Sequence, residues 1–103
     1  MIIYNVTICV DKEVEHEWVE WMRSKHIIEV MQTNCFVKYQ FGRIISHKEQ
    51  DTTSYTVAYF CENMKKLHEY QAMFVNKLQK DHQQNFENKT NAFRTLIEVI
   101  KEH

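Results

Sequence analysis

The chain has 103 residues, of which 44% are hydrophobic and 13% aromatic, and its formal net charge is −1. This length suits one domain with one core, and the apolar content is typical of a packed protein. The near-neutral charge argues against a nucleic-acid partner, and every apolar stretch is much shorter than the ~20 residues that span a bilayer. We therefore expect a single domain over residues 1–103 that binds neither nucleic acid nor membrane.

Three cysteines, Cys9, Cys35 and Cys61, are odd in number and widely spaced. This pattern argues against a disulfide framework and a zinc site, and reduced thiols are typical of the cytosol. The first residues lack the basic region and the small-residue cleavage site of a signal peptide. We expect a cytoplasmic protein.

The first two predicted elements are a strand and a long helix. Residues 2–10 alternate between a strongly apolar parity and a mixed one, which is typical of a strand that covers a core on one side. Asp11 is the predicted N-cap of a helix that ends near Gln32, with Asn34 as its left-handed terminator. At about 100° per residue, the apolar stripe of this helix comprises Val14, Trp18, Val19, Met22, His26 and Val30.

The later elements show the same strand alternation and the same helical spacing of apolar residues. Two runs, Cys35–Ile45 and Tyr55–Cys61, flank a polar turn and predict a hairpin. The remaining elements are a helix from its N-cap Asn63 to about Phe86, with a break near 76–81, and a strand over Ala92–Ile100.

The order β-α-β-β-α-β predicts an α+β ferredoxin-like fold, in which a four-stranded antiparallel sheet carries both helices on one face. The other face is then uncovered, and an open face with apolar side chains is an interaction surface. A second copy of the same sheet covers it most simply, so we predict a homodimer through the sheet faces. Several of the following residues should lie on this face: Ile3, Thr7, Cys9, Tyr39, Phe41 and Phe60.

Five strings of the sequence, in this order, resemble an uncharacterised bacterial family, a domain of unknown function of the DUF4286 type: MIIYNVT, EWVEWMRSKHIIEVM, TNCFVKY, YFC and AFRTLIEV. The most specific parts are W-x-x-W-M-x-x-x-H, which ends at His26, and the strand Ala92–Leu96. The sequence departs from the family pattern at Ile28 and Asn34, where the family has Pro and Gly.

This resemblance implies the dimeric α/β-barrel group, in which two ferredoxin-like sheets face each other. Members of that group include cofactor-free monooxygenases, small isomerases, haem-degrading enzymes and non-enzymatic binders. The resemblance therefore implies a fold and a dimer but no particular activity.

The first candidate site residue is His26, which lies mid-helix on the apolar stripe. A histidine there could be a general base, a metal or haem ligand, or a substrate anchor. It could equally be a core histidine that is hydrogen-bonded to a backbone carbonyl or to a carboxylate such as Glu29. Spacing fixes no second catalytic group beside it, so both interpretations stay open.

Two arginines are candidate ligand-binding residues because each lies on a half-buried sheet face. Arg43 shares its parity with Tyr39, and Arg94 shares its parity with Glu98. A guanidinium in that setting needs a partner, which is either a ligand's carboxylate or a structural partner such as Glu98 or the second subunit.

The other candidates for ligand binding are His82, Tyr39 and Tyr59. His82 follows Asp81, but neighbouring side chains on a helix point about 100° apart, so a helix-end histidine is the alternative. The tyrosines either line a cavity or pack across the strands. None of the six histidines has a partner three or four residues away, and no nucleotide or hydrolase motif is present. We therefore expect no metal and no cofactor.

Three functional hypotheses remain from the sequence. The first is a homodimer of unknown role that binds a small ligand. The second is a cofactor-independent monooxygenase or isomerase that acts on a small aromatic or enolisable compound. The third is haem binding through His26. The sequence leaves open whether the protein is an enzyme.

Overall fold

A computed structural model describes residues 1–103 and contains one four-stranded antiparallel sheet in the order β2-β3-β1-β4. This is the predicted ferredoxin-like β-α-β-β-α-β arrangement. None of the helices is long and apolar enough to cross a membrane. The elements are β1 (Ile2–Asp11), a 3₁₀ turn (Lys12–Val14), α1 (Glu15–Trp21), a π-helical turn (Met22–His26), α2 (Ile27–Met31), β2 (Lys38–Arg43), β3 (Thr52–Cys61), α3 (Met64–Met73), α4 (Val75–Asn85) and β4 (Thr90–Glu98).

Short polar side chains begin and end the helical segments, as predicted for Asp11, Asn34 and Asn63. The Asp11 carboxylate accepts a hydrogen bond from the Glu13 backbone N–H (2.8 Å). The Asn63 side chain accepts one from Lys66 (3.0 Å). Asn34 and Asn88 have φ angles of 61° and 63°. Asparagine adopts this left-handed conformation more readily than other non-glycine residues, so both positions turn the chain without glycine.

The first helical segment differs from the regular helix that the sequence predicts, because its third turn is π-helical. The fully buried positions are Trp18, Met22, Ile27 and Val30, so one step along the stripe is five residues instead of four. Ile27, with 1% of its surface exposed, therefore takes the central position that an α-helix would give to His26. His26 lies half-buried beside it.

Strand register divides the sheet into two faces. Tyr4 pairs with Tyr59, and Tyr59 pairs with Tyr39, so these residues share the helix-covered face. Four of the six residues from which the open face was expected to draw several therefore lie on it, and Tyr39 and Phe41 do not. Both belong to the helix side of β2, which is an edge strand. The open face carries Ile3, Thr7, Cys9, Phe60, Phe93 and Ile97.

The core lies between the sheet and the helices, and aromatic rings fill one end of it. Phe36 lies 4.9 Å from Tyr70 and 5.2 Å from Tyr59 between ring centroids. Cys35 and Phe36 are buried but precede β2, which is shorter at both ends than predicted. The break in the second helical segment lies at Phe74, earlier than the predicted 76–81, and β4 ends two residues before Ile100.

Candidate functional site

A cavity of about 30 Å³ lies between the helices and the sheet. We call it the helix–sheet pocket. Ten of its 14 lining residues are hydrophobic, and the other four are His26, Gln79, His82 and Arg94. A water molecule needs about 10–15 Å³ measured in this way, so the cavity has room for about two or three waters.

The exposed part of the lining lies on β4. Neither helical segment covers the helix side of β4, and Ala92 and Arg94 are the two exposed residues of the lining. The remaining lining residues, which come from the central strands and the helices, are buried or half-buried. A molecule larger than water would therefore enter beside the Arg94 side chain.

His26 brings an unsatisfied nitrogen to this pocket. Its Nδ1 atom is buried and has no hydrogen-bond partner. The ring stacks on Trp21, with 5.0 Å between centroids and 25° between planes. Glu29, which the sequence offered as a partner, forms an ion pair with Lys25 instead (3.3 Å). A buried polar atom without a partner is uncommon in native proteins and marks a candidate functional group.

His82 lies in the last turn of α4 and reaches the same pocket. Its Nε2 accepts a hydrogen bond of 2.9 Å from the buried indole N–H of Trp18. A ring nitrogen that accepts a hydrogen bond carries no proton, so the neutral His82 ring holds its proton on Nδ1. The rings of His26 and His82 are 5.7 Å apart between centroids.

Both imidazoles are held neutral by their surroundings. Burial, followed by the repulsion that a protonated His82 would exert, lowers the pKa of His26 from 6.5 to about 4. Burial, followed by the positive charge of Arg94, lowers the pKa of His82 from 6.5 to about 4. Asp81 opposes both shifts, but its carboxylate is engaged by Lys25 at 3.1 Å. At neutral pH the site thus presents two uncharged rings.

Arg94 is the only charged side chain in the lining, which contains no carboxylate. None of the five ion pairs of the chain includes Arg94. The predicted structural partner Glu98 lies on the same strand and forms no ion pair with it. The guanidinium therefore stands at the mouth of the pocket with its charge uncompensated.

Two tyrosines complete the polar character of the walls. Tyr59 and Tyr70 are buried, and burial raises the pKa of each phenol above its ordinary value, strongly so for Tyr59. Their hydroxyls therefore stay protonated and can donate a hydrogen bond.

The pocket brings together four of the six predicted site residues: His26, Tyr59, His82 and Arg94. Arg43 and Tyr39 lie apart from it on β2, at the opposite edge of the sheet. The Arg43 Nε donates to the Tyr55 hydroxyl (3.3 Å), which in turn donates to the Glu15 carboxylate. Tyr39 is 47% exposed.

The prediction from sequence missed Tyr70 and Gln79. At about 100° per residue, the stripe of the second predicted helix comprises Met64, Leu67, Tyr70, Gln71, Phe74, Leu78 and His82. Tyr70 therefore carries a signal for burial but none for a site. Gln79 carries no signal in the sequence. No group of three or more His, Cys, Asp or Glu side chains is placed to hold a metal ion.

A family model described as "Domain of unknown function (DUF4286)" matches residues 1–100. The chain belongs to this family. The match agrees with the resemblance carried by the first helix and the last strand. None of the curated proteins matches the sequence.

Solved structures with the same fold share little sequence with this member of the family. A candidate antibiotic biosynthesis monooxygenase from Deinococcus radiodurans is 15% identical, with a TM-score of 0.69, over 100% of this chain and 96% of the other. A dimeric ferredoxin-like protein from an uncultured marine organism is 6% identical, with a TM-score of 0.71, over 100% and 98%.

A variant of MhuD with two manganese protoporphyrin IX groups per active site is 16% identical, with a TM-score of 0.69, over 100% of this chain and 98% of the other. Identities this low support the fold alone.

Proposed function

We propose that this chain is a cytoplasmic, homodimeric, single-domain protein that binds a small aromatic or enolisable compound in the helix–sheet pocket. The observation that carries the proposal is the buried, unpartnered Nδ1 of His26, whose side chain lines the same cavity as His82 and Arg94. Binding pockets are mostly apolar with a few convergent polar groups, and this lining has that composition.

The dimer part of the proposal rests on the open sheet face. Phe93 and Ile97 are 63% and 42% exposed, and they neighbour Thr7 and Ile3 on the adjacent strand. Ile97, Ile3 and Phe60 form one apolar row across β4, β1 and β3, and an exposed apolar patch of this kind is typical of an interaction surface. A second copy related by a two-fold axis would cover this face, and two proteins of the same fold are described as dimeric.

A second candidate is the cofactor-independent monooxygenase or isomerase, with His26 as the general base. The unpartnered imidazole nitrogen of His26 favours this candidate, but the low pKa of His26 argues against it. A base whose pKa falls from 6.5 to about 4 loses about 3 kcal/mol of driving force for proton abstraction, at 1.36 kcal/mol per unit. The ligand-free site therefore supports binding better than base catalysis.

Haem binding through His26 is the weakest candidate because of size. Ligand pockets usually measure roughly 300–1,000 Å³, and the helix–sheet pocket has about 30 Å³, which is room for the head group of a small ligand but not for a porphyrin. A porphyrin would require the separation of α4 from the sheet. Titration with haemin, followed by absorbance at the Soret band, tests this candidate directly.

The main proposal is tested by titrating ¹⁵N-labelled protein with a set of small aromatic and enolisable compounds. Binding in the pocket should shift the amide signals of His26, Tyr70 and His82 together. The exposed His68 on α3 provides an internal control that should not move. If no compound of the set shifts the pocket signals at millimolar concentration, the proposed binding function is wrong.

A further inference from the structure

The charges around the helix–sheet pocket select one class of ligand. Arg94 contributes a guanidinium without an acidic partner, and no carboxylate lines the pocket. A guanidinium binds a carboxylate through two parallel hydrogen bonds, which is among the stronger polar contacts in proteins. An anionic ligand therefore complements the positive charge that Arg94 brings to the pocket.

The size of the cavity restricts how such an anion can fit. About 30 Å³ corresponds to about two or three waters, which is the space that a carboxylate group takes when it displaces them. The rest of the ligand must lie in the mouth, where Ala92 and Arg94 are exposed. The pocket thus takes the head group of a small organic anion while the body remains near β4.

From these observations, and resting on the proposed function, we propose that the ligand is a small organic monoanion whose carboxylate or enolate oxygen binds between Arg94 and His26, and that its binding brings one proton from solvent onto His26. The proton adds to the imidazole ring, so that His26 becomes a cation and both of its ring nitrogens become donors. The ligand keeps its negative charge and accepts the hydrogen bond from Nδ1.

The surroundings of His26 explain why proton uptake follows binding. The charged groups that act on it are Lys25 on its own segment, Asp81 on α4 and Arg94 on β4, with neutral His82 beside it. Glu29, also on its own segment, pairs with Lys25. Lys25 neutralises much of the field of both carboxylates, at 3.1 Å from Asp81 and 3.3 Å from Glu29.

No acceptor in the chain is within reach of Nδ1. An N–H at this position is therefore costly without a ligand. An anion supplies both the missing acceptor and a compensating charge, and an opposite charge within about 4–6 Å favours the protonated form.

The experiment compares benzoate with benzamide, which has nearly the same shape and no charge. Isothermal titration at pH 6 in two buffers of different ionisation enthalpy gives the number of protons taken up. Imidazole ¹⁵N shifts of labelled protein identify the ring that receives them. We expect benzoate to bind at least about tenfold more tightly than benzamide. Binding of benzoate should take up close to one proton per protein chain, and the imidazole ¹⁵N shifts should change at His26.

Two arginine variants form a matched pair. R94Q removes the guanidinium at the pocket and should weaken benzoate binding at least about tenfold. R43Q removes an exposed guanidinium from the opposite edge strand, outside the pocket, and should leave benzoate binding unchanged. Thermal unfolding of both variants controls for folding, which should persist because neither arginine is buried.

Equal binding of benzoate and benzamide, equal effects of R94Q and R43Q, or benzoate binding without proton uptake would each overturn this inference. If neutral compounds bind in the pocket while benzoate does not, the inference fails and the proposed binding function stands. If nothing shifts the pocket signals, both fail.

Discussion

The two histidines of the helix–sheet pocket should make the stability of this protein depend on pH. Each has a pKa lowered from 6.5 to about 4 in the folded chain. Between these values the unfolded chain binds more protons than the folded chain. The free energy of unfolding is therefore greatest above about pH 6.5 and falls as the pH decreases toward 4.

The magnitude follows from the size of the shift. A change of 2.5 units corresponds to about 3 kcal/mol for each histidine when both states are fully titrated, and to roughly 2 kcal/mol by pH 5. His82→Gln removes one titrating ring but keeps an acceptor for the Trp18 indole, which now donates to His82 at 2.9 Å. Between pH 8 and pH 5, the free energy of unfolding of the variant should therefore fall by roughly 2 kcal/mol less than that of the parent.

Urea denaturation at pH 8, 7, 6 and 5, followed by far-ultraviolet circular dichroism at constant protein concentration, measures this difference. His68→Gln is the matched control because His68 is exposed on α3. This variant should keep the pH profile of the parent. Equal pH profiles for the parent and His82→Gln, or a parent that gains stability on acidification, would refute the reasoning.

Three further predictions concern other parts of the chain. Trp18→Phe should cost about 1–3 kcal/mol through the lost hydrogen bond and volume, and it should raise the pKa of His82, as measured by NMR titration. Asn34→Ala should cost about 1 kcal/mol in urea denaturation, because its φ is 61°, whereas Asn34→Gly should not. Phe93→Lys should give a monomer in sedimentation velocity, while the control Met73→Lys, which alters a side chain 69% exposed on α3, should keep the parent's mass.

The sequence predicts local structure best where one side chain decides the geometry. Asp11, Asn34 and Asn63 each have a short polar side chain at a position where a helical segment must begin or end. Such effects need no knowledge of distant residues, so the element order and the caps follow from the sequence alone.

The sequence predicts less well where geometry depends on distant contacts. Parity alone shows that Tyr39 and Phe41 share one face of the sheet. It cannot show whether the helices cover that face, because this depends on the pairing of the two residues with Tyr59 and Val57. For the same reason, parity cannot show that Arg94 lines the pocket while Arg43 does not. Both lie on the helix side of an edge strand, but the two strands form opposite edges of the sheet.

The candidate site shows the same division. His26 and His82 are recognisable as histidines on apolar stripes of two different helices. Their proximity depends on how these helices pack across the sheet, and the position of His26 beside the buried stripe depends on a turn that periodicity does not predict.

The π-helical turn over Met22–His26 has an evolutionary consequence. Its outer residues, Arg23, Ser24 and Lys25, are exposed, so the turn can lose one residue without removing a buried side chain. Deletion of one codon there would shorten the spacing between Met22 and Ile27 from five to four, the value of an α-helix. The core would persist while the histidine changed its orientation. Wide turns of this kind recur at functional sites, and here a single insertion or deletion could add or remove the site independently of the fold.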